Sequence, residues 1–291
     1  MRLDETGPST HRVDVPWLED HHRDPGVVVI DVRWRMHGPP GLDLYEAGHI
    51  PGARYLDLDT DLSSPPDQGP GRHPLAGAEA FAAALARVGV GPDTWAVIAY
   101  DDRGGAIAAR LWWLLGYFGF SGDRAILDGG IQAWSAAGHP TELGASPSSP
   151  VSPMTLTPHG DRVVDHQGVQ EVLSMEGVVL DARGGARYRG DEEPVDPRPG
   201  HVPGALSAPY ADNLTAPEGP LKSLELLDVR YEALGAFDEV PVVVYCGSGV
   251  TACHDIWALT LLGREDVLLY EGSWSDWSAR SELPAGIGPE P

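Results

Sequence analysis

The chain has 291 residues, 42% hydrophobic, 22% charged and 8% aromatic, enough apolar material to bury a full core and too much for intrinsic disorder. Its 20 Lys and Arg stand against 43 Asp and Glu, a formal charge of -23, which repels phosphate backbones and anionic lipid and so argues against nucleic acid and membrane partners. No apolar leader occurs in residues 1–10 and no apolar run approaches the roughly 20 residues a span needs, so the sequence reads as soluble and cytoplasmic.

In chain order, the first predicted strand is the β-branched run 27–30 within Val28-Val-Ile-Asp31-Val-Arg33. A turn motif follows, Gly48-His-Ile-Pro51-Gly-Ala53. A helix is expected from Ala78 to Val88, with Phe81, Leu85 and Val88 on one face. The next strand is Trp95 to Tyr100; Asp101 opens the loop after it, and Trp112 and Trp113 lie on the following helix as packing residues. Leu127-Asp-Gly-Gly130 and Trp134 close this half, and the Ser- and Pro-rich stretch Thr141 to Pro153 reads as a partly extended linker.

The same landmarks then return in the same order. Val178-Val-Leu-Asp181-Ala-Arg183, Gly200-His-Val-Pro203-Gly-Ala205, the strand 241–245, Tyr270-Glu-Gly-Ser273 and Trp277 match the first set at nearly constant spacing. The chain is therefore read as a duplication: domain 1–143, linker 144–158, domain 159–291. Continuous apolar strands alternating with helices predict α/β domains, each a mostly parallel sheet flanked by helices, with ligands bound beyond the C-terminal strand ends. Features present in both halves read as structural: the His49 and His201 turns, and the Asp31–Arg33 and Asp181–Arg183 pairs. Trp274 is placed near the pocket.

After Val242 to Tyr245 comes Cys246-Gly-Ser-Gly-Val-Thr251, then a helix running to a Gly263 stop. Gly247 and Gly249 let the loop curl with its N–H groups inward, and the helix adds its positive end, so the loop suits an anion and favours a thiolate at Cys246. Cys246 is thus the candidate nucleophile, and Cys253 reads as a packed thiol. The two cysteines match neither a disulfide framework nor a zinc pair. The first half has Asp101 at the equivalent position and so lacks the nucleophile; Asp101 is expected to serve packing or loop hydrogen bonding. A Cys-x5-Arg phosphatase would need arginine at position 252, where Ala252 stands.

The tandem halves, their paired Gly-His-Ile-Pro-Gly-Ala turns and a cysteine loop in the second half alone resemble the two-domain rhodanese family. Within it, the loop is similar to that of the 3-mercaptopyruvate sulfurtransferases, whereas thiosulfate enzymes more often carry basic residues at the positions of Gly247 and Ser248. The resemblance implies transfer of sulfur from 3-mercaptopyruvate through a Cys246 persulfide to a thiol, thioredoxin or cyanide, without metal or organic cofactor. It implies that Arg187, with Arg198 as the second arginine, binds the donor carboxylate beside loop residues Gly247, Gly249, Val250 and Thr251. It also implies a proton relay of Ser248, His73 and Asp59, with Asp57 and Asp61 as alternatives to Asp59. Two other readings stand beside it: a thiosulfate:cyanide sulfurtransferase, and a noncatalytic rhodanese-like binding module.

Overall fold

The computed structural model describes residues 11–291; the leaderless start read at residues 1–10 lies outside them. Two compact units are present. The first takes the chain up to Ser63 with Ala76–His159 and Thr215–Leu221, and the second takes Ser64–Leu75, Gly160–Leu214 and Lys222–Pro291. Each unit thus includes one short arm from the other half of the sequence. The linker stretch runs along the first unit, held by bonds such as Val151 N–H to the Ala86 carbonyl at 3.0 Å and His159 N–H to that of Tyr117 at 2.8 Å.

The first sheet holds β1 (Arg12–Val13), β2 (Val27–Asp31), β3 (Arg54–Tyr55), β4 (Ala96–Tyr100) and β5 (Asp123–Leu127) in the order β1-β5-β4-β2-β3. The second repeats that order as β6-β10-β9-β7-β8, from β6 (Val163–Val164), β7 (Val178–Asp181), β8 (Leu206–Ser207), β9 (Val242–Tyr245) and β10 (Leu268–Tyr270). All strand pairs are parallel. Every residue of β4 and β9 is buried, as expected for β-branched runs in a sheet covered on both faces.

Helix starts follow from local chemistry. Asp14 accepts the Trp17 N–H ahead of α1 (Val15–His21), and Asp165 accepts those of Gln167 and Gly168 ahead of α6 (His166–Ser174), each satisfying donors the first turn leaves open. The helix after each central strand, α4 (Ala108–Tyr117) or α9 (Ala252–Leu261), is almost wholly buried. Trp112 and Trp113 pack within α4, as expected.

The repeated motifs hold the strand ends to the turns. Arg33 forks onto Asp31 and donates to the Gly48 carbonyl at 2.7 Å; Arg183 forks onto Asp181 and donates to that of Gly200 at 2.6 Å. His49 donates from Nδ1 to the Tyr45 carbonyl at 2.9 Å and His201 to that of Tyr188 at 2.8 Å, each ring stacked on the same tyrosine. The duplication extends to the arms. In the second unit the Leu75 N–H bonds Glu271 at 3.2 Å, and in the first the Leu221 N–H bonds Asp128 at 2.8 Å, both carboxylates standing just past the last strand.

Candidate active site

Between β9 and α9 the loop Cys246–Thr251 turns sharply. Gly249 has φ of +76°, and a Cβ there would lie 2.5 Å from the Glu271 carbonyl oxygen, so only glycine fits. Cys246 is 2% exposed. Its N–H donates to Ser273 Oγ at 3.1 Å, and its carbonyl accepts the Trp274 N–H at 2.9 Å. The Gly247 carbonyl accepts the Ser275 N–H at 2.9 Å, so α10 (Ser273–Trp277) anchors the loop from below. Among the described residues, the N–H groups of Gly247, Ser248, Val250 and Thr251 have no acceptor. Val250 is buried and Thr251 partly so.

The equivalent loop of the first unit is one residue longer before its helix. There the Asp101 carboxylate, 1% exposed, accepts four backbone N–H groups: Arg103 at 2.8 Å, Gly105 at 2.9 Å, Ile107 at 2.7 Å and Ala108 at 2.9 Å. That unit fills its anion cradle with its own side chain. The expected hydrogen-bonding role of Asp101 takes this form.

The arm Ser64–Leu75 brings His73 to the Cys246 loop within the second unit. His73 Nδ1 lies 2.7 Å from Ser248 Oγ, both buried. Asp59 belongs to the first unit and accepts the Trp34 indole N–H at 2.8 Å. Asp57, the sequence alternative, accepts the N–H groups of Asp59 and Thr60, and Asp61 accepts that of Asp57, so both build their own turn.

Arg187 sits on α7 (Gly185–Arg189) and pairs through Nη2 with Glu193 at 2.7 Å and Asp196 at 2.8 Å. Arg72, on the arm, pairs with Asp196 from the other side. A Cβ at Gly247 would lie 3.0 Å from Arg72 Nη2 and 3.3 Å from Arg187 Nη1, so two guanidinium groups converge on the loop mouth. Burial would raise Glu193, but the Asp196 N–H and the Arg187 guanidinium outweigh it and hold that carboxyl below its ordinary range. Burial pushes Asp196 above its ordinary range, against the pull of Arg72 and Arg187. Beside this cluster lies a cleft of about 740 Å³ bordered by Gly71, Arg72, Asp196 and Ser275.

Arg198 is not brought to the loop. Its guanidinium donates to the carbonyls of Ser278, Leu283, Trp277 and Arg280 at 2.8–3.0 Å, closing the C-terminal end of α10. Trp274 is fully buried, its indole N–H on the Arg198 carbonyl and its ring under Arg183, so it packs beneath the loop and lines no pocket. Cys253 is a packed thiol, its Sγ 3.4 Å from the Gly249 carbonyl. Arg72, Asp196 and Ser273 escape sequence reasoning. The signal for Arg72 was its place beside His73; for Ser273 it was the alignment with Gly130, which shares its left-handed backbone (φ of 52° and 54°).

The family described as Rhodanese-like domain matches residues 14–137 and again 165–280. A probable 3-mercaptopyruvate sulfurtransferase of Pseudomonas aeruginosa is 41% identical over 271 residues, 91% of this chain and 94% of that protein. A putative thiosulfate sulfurtransferase, SseB, of Mycobacterium tuberculosis is 38% identical, covering 90% and 91%. Among solved structures, SseA, a 3-mercaptopyruvate sulfotransferase from Escherichia coli, superposes with a TM-score of 0.79 at 32% identity, covering 92% of this chain and all of that one.

Proposed function

Because the chain belongs to the rhodanese family and carries its domain twice, we propose that it is a sulfurtransferase moving sulfur from 3-mercaptopyruvate through a Cys246 persulfide to a thiol, a thioredoxin-like protein or cyanide. The contrast between the two loops carries this reading. One cradle is occupied by the Asp101 carboxylate, and the other presents a thiol with loop N–H groups left open to a sulfur anion.

Arg187 attracts the donor carboxylate to the loop mouth, which turns the donor sulfur toward Cys246. The Cys246 thiolate attacks that sulfur. A sulfur–sulfur bond forms as the donor carbon–sulfur bond breaks, and the electron pair leaves on carbon as pyruvate enolate, which takes a proton. Ser248 and His73, joined at 2.7 Å, are suited to deliver it. The loop N–H groups hold the persulfide, and an acceptor thiolate attacks its outer sulfur, regenerating Cys246. Both cysteines are free thiols, which suits a thiol cycle in the reducing cytoplasm.

Brief exposure to 3-mercaptopyruvate, and separately to thiosulfate, followed by intact-protein mass, tests this in wild type and Cys246→Ser. One added sulfur atom in wild type alone, more complete with 3-mercaptopyruvate, is expected. Loading by thiosulfate alone would make that the donor, and no loading by either would leave a binding module.

A further inference from the structure

Arg72 and Arg187 approach Gly247 from two different segments, and one buried carboxylate holds both. Asp196, its side chain 2% exposed, pairs with Arg72 through one oxygen and with Arg187 through the other. The nitrogens facing the loop, Arg72 Nη2 and Arg187 Nη1, carry no hydrogen bond among the described residues. We propose that these arginines form a two-pronged clamp for the sulfur donor, and that Asp196 makes the clamp select a singly charged donor over a doubly charged one.

Asp196 does this in two ways. By holding Nη1 of Arg72 and, together with Glu193, Nη2 of Arg187, it leaves Nη2 of the first and Nη1 of the second aimed at the loop mouth, where a planar carboxylate can be gripped. Its charge also remains behind the clamp. Counting Arg72, Arg183 and Arg187 against Asp181, Glu193 and Asp196, the linked group is neutral before any donor arrives. A monoanion therefore meets two open donors without a large surplus of positive charge. A dianion such as thiosulfate brings a second charge that the same carboxylate repels. At an effective dielectric near 20 and about 7–10 Å away, the repulsion of that second charge by Asp196 itself amounts to roughly 15- to 60-fold in binding.

This rests on the sulfurtransferase reading for the identity of the donors but is measured without turnover. In Cys246→Ser protein, dissociation constants for 3-mercaptopyruvate and thiosulfate are determined by calorimetry, alone and combined with Asp196→Asn, Asp196→Glu or Arg72→Gln. Asp196→Asn should move the ratio toward thiosulfate by roughly 15- to 60-fold, whereas Asp196→Glu, which keeps the charge, should leave it within about threefold. Arg72→Gln, on the arm, should weaken thiosulfate more than 3-mercaptopyruvate and keeps the proposal testable if Asp196→Asn does not fold. A ratio unmoved by Asp196→Asn, or by Arg72→Gln where the first variant does not fold, overturns the clamp. If wild type acquires no sulfur from either donor while the binding ratio shifts as stated, the clamp stands and the sulfur-transfer reading falls.

Discussion

Replacing Asp101 with asparagine should loosen the first unit at a definable place. The carboxylate is buried and each oxygen accepts two backbone N–H groups, at 2.7–2.9 Å. Asparagine keeps one acceptor oxygen and turns the other position into a donor facing two donors. Two hydrogen bonds to a charged group are lost, at about 1.5–3 kcal/mol each, and the unmatched donors are left buried; the cost should be about 3–6 kcal/mol. The two units need not unfold together, so a single global transition is the wrong readout. Hydrogen exchange resolved to the peptide covering residues 101–117 is the right one. A 3 kcal/mol loss corresponds to roughly a hundredfold faster exchange at the amides of Arg103, Gly105, Ile107 and Ala108. Sulfur loading of Cys246, which lies in the other unit, controls for an intact second unit. Exchange within about threefold of wild type would refute the reasoning, since it would mean that the four short contacts do not hold the loop.

Other outcomes follow from the same geometry. His73→Ala should lower kcat by about 10²- to 10⁴-fold in a steady-state assay with cyanide or a thiol as acceptor; unchanged kcat would remove His73 from the proton path. Arg198→Ala should destabilise the second unit by about 2–4 kcal/mol, read by hydrogen exchange in the peptide covering residues 273–283, because four carbonyls lose their donor, and should leave the KM for donor unchanged; a raised KM at full stability would return Arg198 to the site. Gly249→Ala should abolish sulfur loading, since a methyl group there meets the Glu271 carbonyl at 2.5 Å; normal loading would mean that the loop can move aside. Asp255 is buried with Oδ2 unpartnered among the described residues, and burial pushes its carboxyl up to about 7, so the folded state favours the neutral form. Its contribution to stability is present at low pH and lost as pH rises through about 7. Asp255→Asn, which cannot ionise, should therefore gain on wild type by at most about 4 kcal/mol between pH 4 and 8, read by hydrogen exchange within α9 after correction for the intrinsic pH dependence of exchange, and a flat difference would contradict the burial argument.

Much of this molecule is legible from sequence because its chemistry is local. The Cys246 loop is one continuous run, and the strands, turns and Asp–Arg pairs recur in a second copy that separates framework from function. The predicted structural roles of Asp31 and Asp181 match the structure because each has its arginine two residues on, and those of His49 and His201 match because each copy sets its imidazole on the carbonyl and ring of a tyrosine on the preceding helix. The structure ties Arg198 elsewhere for a physical reason: distance along the chain to the Gly-His turn says nothing about where a long side chain finds acceptors, and the carbonyls of Trp277, Ser278, Arg280 and Leu283, at and beyond the end of α10, hold it. Arg72 was hidden because its target, Gly247, lies far along the chain, and no short-range pattern encodes a contact made by an arm.

The arms nevertheless follow the duplication, and this explains where the two halves diverge. Leu75 on Glu271 and Leu221 on Asp128 are equivalent anchors, each a backbone N–H on a carboxylate just past the last strand of its sheet. Ahead of the anchor one arm reads Arg72-His73-Pro74 and the other Glu218-Gly219-Pro220. The arm with a cation and an imidazole serves the loop with a thiol, and the arm with a carboxylate belongs to the unit whose loop carries its own anion. Sheets, turns and anchors are kept in both copies because they must be satisfied for either unit to fold. Loop and arm differ together between the two copies, since a cradle filled by Asp101 has no use for a second anion or for arginines to bring one.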